Sequence, residues 1–203
     1  NGIAEAVISE KWDLVFIAST PTLQVFSKKS TNLPIVFSNT GDPIGAGVGE
    51  SFEKHLPNIT GICTTSDFEG MVDLVKEMIP EIKSIGTIYT PGEINSVKYI
   101  EQLNKAATAK GLKLVTVPAN SATEIVDAAM VLTTKNIGAI TQIVDNLTSS
   151  SSETIIKQAY NNKIPYFAFI SNQLDKGAVA AVARDFHQAG VDAVRLGIQI
   201  VNG

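Results

Sequence analysis

Short polar side chains with chemical capacity follow six apolar segments of this chain. They lie in Ser19-Thr20-Pro21, Asn39–Pro43, Thr90–Ser96, Asp145-Asn146, Ser171-Asn172 and Arg184-Asp185. Four of these stretches carry a carboxylate, at Asp42, Glu93, Asp145 and Asp185. Carboxylates suit a cationic group, whereas predicted helix N-termini near Ser96 and Ser121 suit an anionic one. A zwitterion such as an amino acid satisfies both.

Each of these residues also has an ordinary structural explanation. Ser, Thr and Asn are common helix caps and turn residues, and for any single one of them that role is as well supported as ligand binding. Asp145 and Asp185 show no capping signature, so for these two we favour a functional role. The predicted chemistry is hydrogen bonding to a solute rather than catalysis.

Metal and nucleophile chemistry have little support in the sequence. Cys63, His55 and His187 are too few for a cysteine- or histidine-based metal site, so we expect no metal and no cofactor. A nucleotide-binding α/β enzyme domain is the competing class, and its best support is the glycine run Gly45–Gly49. That run departs from the G-x-G-x-x-G spacing, and no Gly-Lys-Ser follows it. We expect these glycines to open a helix.

Short runs rich in Val, Ile and Phe alternate with segments of helical period, which predicts a parallel α/β fold. The predicted strands are Leu14–Ala18, Pro34–Phe37, Ile59–Cys63, Ile82–Tyr89, Leu112–Val117, Ile137–Val144, Ile164–Ile170 and Ala178–Ala183. In such a sheet, ligands bind outside the carboxyl ends of the strands. The polar stretches above all lie at those ends, so we expect them to share one region.

Capping residues mark the expected helix starts and stops. Three Ser and Glu pairs have capping-box spacing: Ser66 with Glu69, Ser121 with Glu124, and Ser150 with Glu153. Gly111 is expected to end the helix from about Ser96 to Lys110. Lysines instead occupy the positions at or just before strand starts, at Lys83, Lys113, Lys135, Lys163 and Lys176. The two edges of the sheet therefore differ in charge.

Composition narrows the class of protein. The 203 residues are 44% hydrophobic and carry 16 basic against 20 acidic side chains. This net acidity argues against a nucleic-acid partner, which needs clustered Lys and Arg. The longest apolar runs fall well short of the ~18 residues that span a bilayer. The sequence predicts one or two compact α/β domains, with a boundary near residues 64–67.

Five stretches in this order resemble ABC-transporter substrate-binding proteins of the type I periplasmic-binding fold, and in particular the tryptophan and tyrosine importers. They are Asp13–Pro21, Leu33–Gly47, Asn58–Ile62, Ile85–Ser96 and Lys163–Ala168. The resemblance implies two Rossmann-like lobes with parallel sheets, of which the first is truncated. Residues 1–66 would be partial lobe one and residues 67–203 lobe two.

The same resemblance implies which residues line a cleft between the lobes. They are Ser19, Thr20, Asp42, Glu93, Asn95, Ser96, Asp145, Asn146, Ser171 and Asp185. The implied function is capture of a small polar solute by domain closure, with an amino acid as the expected class and an aromatic one as a candidate. The implied partner is a membrane permease, and the implied location is extracytoplasmic, in the periplasm or as a lipoprotein. An effector-binding domain of a sensor or regulator is a third class.

Overall fold

The computed structural model describes residues 2–29 and 32–203. These residues form two compact units. The first contains the described residues up to Thr65 together with Asp185–Gly203, and the second is the continuous stretch Ser66–Arg184. The two lobes at residues 1–66 and 67–203 stay a prediction; in the division seen here Asp185–Gly203 belong to the first unit.

The strands and helices alternate along the chain as the apolar pattern predicts. In chain order they are α1 (Gly2–Ser9), β1 (Val15–Ala18), α2 (Thr20–Ser27), β2 (Ile35–Thr40), β3 (Ile59–Cys63), α3 (Phe68–Met78), β4 (Ser84–Tyr89), α4 (Ile94–Ala109), β5 (Lys113–Pro118), α5 (Ala122–Thr133), β6 (Ala139–Thr141), α6 (Asn146–Ser150), α7 (Ser152–Asn161), β7 (Tyr166–Ala168), a 3-10 helix (Ser171–Lys176), β8 (Ala180–Ala181) and α8 (Phe186–Asn202). Each predicted strand overlaps an observed one.

The first unit is built on a parallel three-stranded sheet of order β1-β2-β3. Its core includes Leu23, Ile35 and Phe37, which are buried between the sheet and its helices. Helix α8 packs against β2 and β3. Gly197 permits close approach of α8 to β1, because a Cβ at that position would lie 2.6 Å from Phe16 Cζ.

The second unit is built on a parallel five-stranded sheet of order β5-β4-β6-β7-β8. One apolar cluster joins α3 and α4 to the sheet and includes Met71, Leu103 and Phe167. A second cluster joins α5 and α7 to the sheet and includes Ile125 and Ile155. Because helices cover both faces of the sheet, the loops lie at the two ends of the strands. The confirmed fold is thus α/β with parallel sheets.

The helix caps agree with the sequence prediction in part. Ser121 caps α5 by accepting the N–H of Glu124, and the Glu124 carboxylate accepts the Asn120 N–H at 2.9 Å, as a capping box requires. Helix α3 is instead capped by Asp67, one residue after the predicted Ser66. The Ser150 prediction is wrong, because Ser150 ends α6 and α7 begins at Ser152.

The glycine run Gly45–Gly49 does not open a helix. It forms consecutive turns, with Gly47 at a φ of 85°, and Gly49 makes an isolated antiparallel bridge to His55. The absence of a helix start removes the geometry by which such a run would hold phosphates. Within the described ranges, no helix combines the length and apolar character needed to cross a membrane.

Candidate functional site

The Asp145 carboxylate joins the carboxyl ends of β4 and β6 in the second unit. Asp145 is 3% exposed and accepts four hydrogen bonds. Its Oδ2 accepts from the Ser96 hydroxyl at 2.6 Å and from the Thr90 N–H at 3.1 Å. Its Oδ1 accepts from the Thr148 N–H and hydroxyl, both at 2.7 Å, so it caps α6. Asp145 therefore ties two loops together.

Glu93 forms a second link between the same loops. Its carboxylate accepts hydrogen bonds from the Asn146 N–H at 3.1 Å, from the Asn146 side-chain amide at 3.0 Å and from the Leu147 N–H at 3.3 Å. Glu93 precedes α4 and these donors belong to the first turn of α6. Two carboxylates thus satisfy the N–H groups that α6 leaves unpaired.

The pKa of Glu93 is raised above its ordinary value. The main cause is desolvation by burial, and the nearby Asp145 carboxylate raises the pKa further. Hydrogen bonds from Asn146 and Leu147 favour the ionised form and oppose the shift. The ionised Glu93 side chain is therefore held at a net electrostatic cost.

We expect this cost to appear as a pH dependence of stability. The folded pKa of Glu93 lies above the 4.5 of the free side chain, so the folded state binds the proton more tightly. Wild-type stability relative to Glu93→Gln should therefore fall as the pH rises from below 4.5 through the folded pKa. Urea unfolding of both proteins across this pH range measures the difference.

Glu124→Gln is the matched control, because hydrogen bonds, above all from the Asn120 N–H, lower the pKa of Glu124. The contribution of Glu124 to the free energy of unfolding has the opposite pH dependence. It is present above pH 4.5 and is lost as the pH falls through the folded pKa of Glu124. If the two variants followed the same pH trend, the assigned direction for Glu93 would be wrong.

Several buried polar atoms near this network have no hydrogen-bond partner among the described residues. They are Thr90 Oγ1, Asn95 Oδ1, Thr141 Oγ1 and Gln142 Nε2. They lie at the carboxyl ends of β4 and β6 and in the first turn of α4. Buried polar atoms in folded proteins normally have partners, so this group of unpaired ones marks the carboxyl ends of β4 and β6 as the candidate site.

Gln142 is the residue of this group that sequence reasoning missed. It follows β6 directly and is 2% exposed. Its Oε1 accepts the Phe169 N–H at 2.7 Å, which fixes the orientation of the amide and leaves Nε2 as an unpaired donor. The available signal was a glutamine inside the apolar run Ile137–Val144, where a polar side chain is unusual.

The first unit has its own polar group at the carboxyl ends of β1 and β2. The buried Thr20 hydroxyl accepts the N–H groups of Gly41 and Asp42 at 3.2 and 3.4 Å. Asp42 is buried, and its carboxylate accepts the Gly45 N–H at 3.0 Å. Ser19 precedes α2 with a φ of 77°, a strained conformation for a residue with a side chain.

The structure brings some of the predicted residues together and leaves others apart. Ser96 bonds to Asp145 and Glu93 bonds to Asn146, so the two pairs meet at consecutive residues and form one network, which the buried Asn95 adjoins in sequence. Ser171 is exposed at the start of the 3-10 helix, and no hydrogen bond among the described residues joins it to this network.

Asp145 and Asp185 are both helix N-caps, which the sequence did not indicate, and their functional role stays a prediction. Asp185 is exposed, belongs to the first unit and accepts the Gln188 N–H at 2.8 Å, which caps α8. An Asp at an N-cap needs no Glu three residues later, so the capping-box pattern does not detect it.

This arrangement is suited to hydrogen bonding with a polar solute. The Asp145 carboxylate is saturated by donors within the protein, and the unpaired atoms are neutral amide and hydroxyl groups. Within the described residues, no three His, Cys, Asp or Glu side chains cluster as metal ligands. Neutral donors and acceptors held by a rigid network can orient a polar solute.

Comparisons with known proteins show which proteins the whole chain is similar to. A tyrosine-binding protein of Clostridioides difficile is 31% identical over all 203 residues, and the chain spans 59% of its length. A Streptococcus pneumonia ABC domain in complex with L-Trp superimposes with a TM-score of 0.93 at 27% identity, covering 100% of this chain and 70% of that one. A conserved domain protein of Vibrio cholerae also superimposes with a TM-score of 0.93, at 32% identity and with 68% of its chain covered.

The fold of these structures is the type I periplasmic-binding fold that the sequence resembles. The family model described as "ABC transporter substrate binding protein" matches residues 2–203, essentially the whole chain. The chain therefore belongs to the family of ABC transporter substrate-binding proteins.

Proposed function

We propose that this chain captures an aromatic amino acid for import through an ABC transporter. The observation that carries the proposal is the buried group of unpaired donors and acceptors at the carboxyl edge of the second sheet. The relatives support the ligand class, because one is named a tyrosine-binding protein and another was solved with L-Trp. The protein is a binding component with no catalytic step of its own.

The unpaired atoms match the two charged ends of an amino acid. Gln142 Nε2 is a donor and would bind the solute carboxylate, whereas Asn95 Oδ1 is an acceptor and would bind the ammonium group. Glu93, Ser96, Asp145 and Asn146 would hold the loops that carry these two residues. In this assignment the neutral amides of Gln142 and Asn95 contact the solute directly, and the Glu93 and Asp145 carboxylates position the loops.

The first unit is proposed to complete the site. Ser19, Thr20 and Asp42 lie at the carboxyl ends of its strands, where solutes bind in open parallel sheets. Ser171 and Asp185 stay candidates for the rim of the site. A solute that contacts both units favours a closed arrangement over an open one, since binding shifts the population toward the state it prefers.

The proposed partner is the membrane permease of the transporter, which would receive the solute from the closed form. The proposed location is accordingly extracytoplasmic, with the protein held near the membrane as a lipoprotein. Both proposals follow from membership of the substrate-binding family. No nucleic-acid partner is proposed, because the chain has a net charge of -4.

A thermal-shift and calorimetry panel tests the proposed function. L-Trp, L-Tyr and L-Phe are compared with L-Ala, glucose and ATP on the 203-residue chain. A micromolar aromatic ligand, which corresponds to about 8 kcal/mol, should raise Tm clearly at 100 times its Kd. Stabilisation by ATP or glucose, with no effect of the three aromatic amino acids, would contradict the proposal.

A further inference from the structure

The second unit has a groove at the edge where its strands begin, away from the network described above. The groove has a volume of about 600 Å³ and lies between the end of α7, the turn that leads into β7 and the segment before β8. Its apolar lining includes Ile156, Ile164, Pro165 and Val179, and its polar lining residues include Asn161 and Lys163. Small-molecule sites are commonly apolar grooves of this size with a few polar groups.

Lys163 occupies a backbone position that favours glycine. Its φ is 57°, and it ends α7 in a Schellman motif, in which the N–H of Ile164 reaches Ala159 O at 2.9 Å. The motifs after α4 and after the 3-10 helix place Gly111 and Gly177 at the same position, with φ of 74° and 107°. A lysine here costs backbone energy that a glycine would avoid.

The charge of Lys163 is uncompensated within the structure. Lys163 is exposed, and among the described residues it makes no ion pair. No acidic side chain is among the residues that line the groove. The nearby Lys176 differs, because it pairs with Glu153 at 2.8 Å. A single free ammonium group at the edge of an apolar groove complements an anion with an apolar body.

We propose that this groove binds a monocarboxylate with an apolar chain, whose carboxylate pairs with Lys163. Asn161 also lines the groove and would donate a second hydrogen bond, and the exposed Tyr160 ring and Val179 would cover the apolar chain. This ligand goes beyond the amino acid proposed for the other edge. The two sites lie at opposite ends of the strands of one sheet, so each can be tested without the other.

Calorimetric titration with octanoate tests the proposal on the 203-residue chain. We expect wild type to bind octanoate, Lys163→Gly to bind at least about tenfold more weakly, and Lys163→Arg to stay within about threefold of wild type. Lys113→Ala is the matched control, because Lys113 is exposed at the same edge of the sheet but does not line the groove. It should leave octanoate binding unchanged.

The glycine variant also separates binding from folding. Lys163 has a left-handed backbone conformation, which glycine adopts without strain. The Tm of Lys163→Gly should therefore rise by about 2–4 °C. If Lys163→Gly loses octanoate binding while it gains stability and keeps its L-Trp binding, the result would support the proposed monocarboxylate site in the groove. Equal octanoate affinity in wild type and Lys163→Gly would overturn it, and would mean that Lys163 only complements the C-terminal dipole of α7. Absence of octanoate binding by wild type up to about 5 mM would overturn it as well.

Discussion

Replacing Asp145 with alanine is expected to lower the free energy of unfolding of the second unit by about 3 kcal/mol. The substitution removes an acceptor of four hydrogen bonds in a side chain that is 3% exposed. It also removes the cap of α6 and the link to the Ser96 hydroxyl. Buried donors left without an acceptor account for most of the loss.

The chain provides a clear way to measure this effect in each unit. Trp12 is the single tryptophan and lies in the first unit, whereas the four tyrosines, Tyr89, Tyr99, Tyr160 and Tyr166, all lie in the second. Urea unfolding followed by tryptophan fluorescence therefore reports on the first unit, and tyrosine near-ultraviolet circular dichroism reports mainly on the second. Asp145→Ala should shift the tyrosine transition.

Asp185→Ala is the matched control for Asp145→Ala. Asp185 is also an aspartate N-cap, but it is exposed, and among the described residues its carboxylate accepts only the Gln188 N–H. Its loss should cost about 1 kcal/mol and should shift the tryptophan transition, because α8 belongs to the first unit. Equal effects of the two substitutions would contradict the central role given to Asp145.

Gln142→Glu is expected to weaken L-Trp binding by about 100-fold or more, which corresponds to about 2.7 kcal/mol. Glutamate keeps the oxygen that accepts the Phe169 N–H but replaces the Nε2 donor with a second carboxylate oxygen. The proposed contact to the solute carboxylate would then become a repulsion. Calorimetry with L-Trp measures the loss.

Two comparisons make this test specific. Gln102→Glu is the matched control, since Gln102 lies on α4 and also has a buried side-chain oxygen without a partner. It should leave L-Trp affinity within about twofold. Tryptophanamide, which lacks the carboxylate, should lose much less affinity on Gln142→Glu than L-Trp does. An equal loss for both compounds would mean that Gln142 does not contact the solute carboxylate.

The sequence predicts the elements of this fold well because local chemistry determines them. The Ser121 and Glu124 capping box is confirmed, since both partners lie within four residues. Buried parallel strands appear as short runs of Val, Ile and Phe, and the observed strands overlap all of the predicted ones. Such features depend on few contacts distant in sequence.

The roles of the site residues depend on distant contacts, and the sequence does not reveal them. The Ser96 and Asp145 pair is separated by 49 residues, so nothing local shows that Asp145 is already saturated by donors. The unpaired Gln142 donor depends in the same way on Phe169, 27 residues later. Long-range hydrogen bonds therefore decide which predicted residue positions a loop and which is free to bind a solute.

The assignment of α8 illustrates the same limit for packing. Helical periodicity gives α8 an apolar face but does not show which sheet that face covers. Close packing of Gly197 beside Leu14 and Phe16 puts the helix on the first sheet. The packing of α8 on the first sheet depends on the complementary shapes of segments about 180 positions apart. Hydrophobic periodicity carries no information about such distant contacts.

The division of the first unit into two segments has a consequence for the order of folding during synthesis. Residues 66–184 are continuous and emerge from the ribosome before α8 does. Translation proceeds at about 5–20 residues per second, and domains fold as units as they emerge. We therefore expect the five-stranded sheet to fold during synthesis before the three-stranded sheet acquires α8, the helix that packs against β2 and β3.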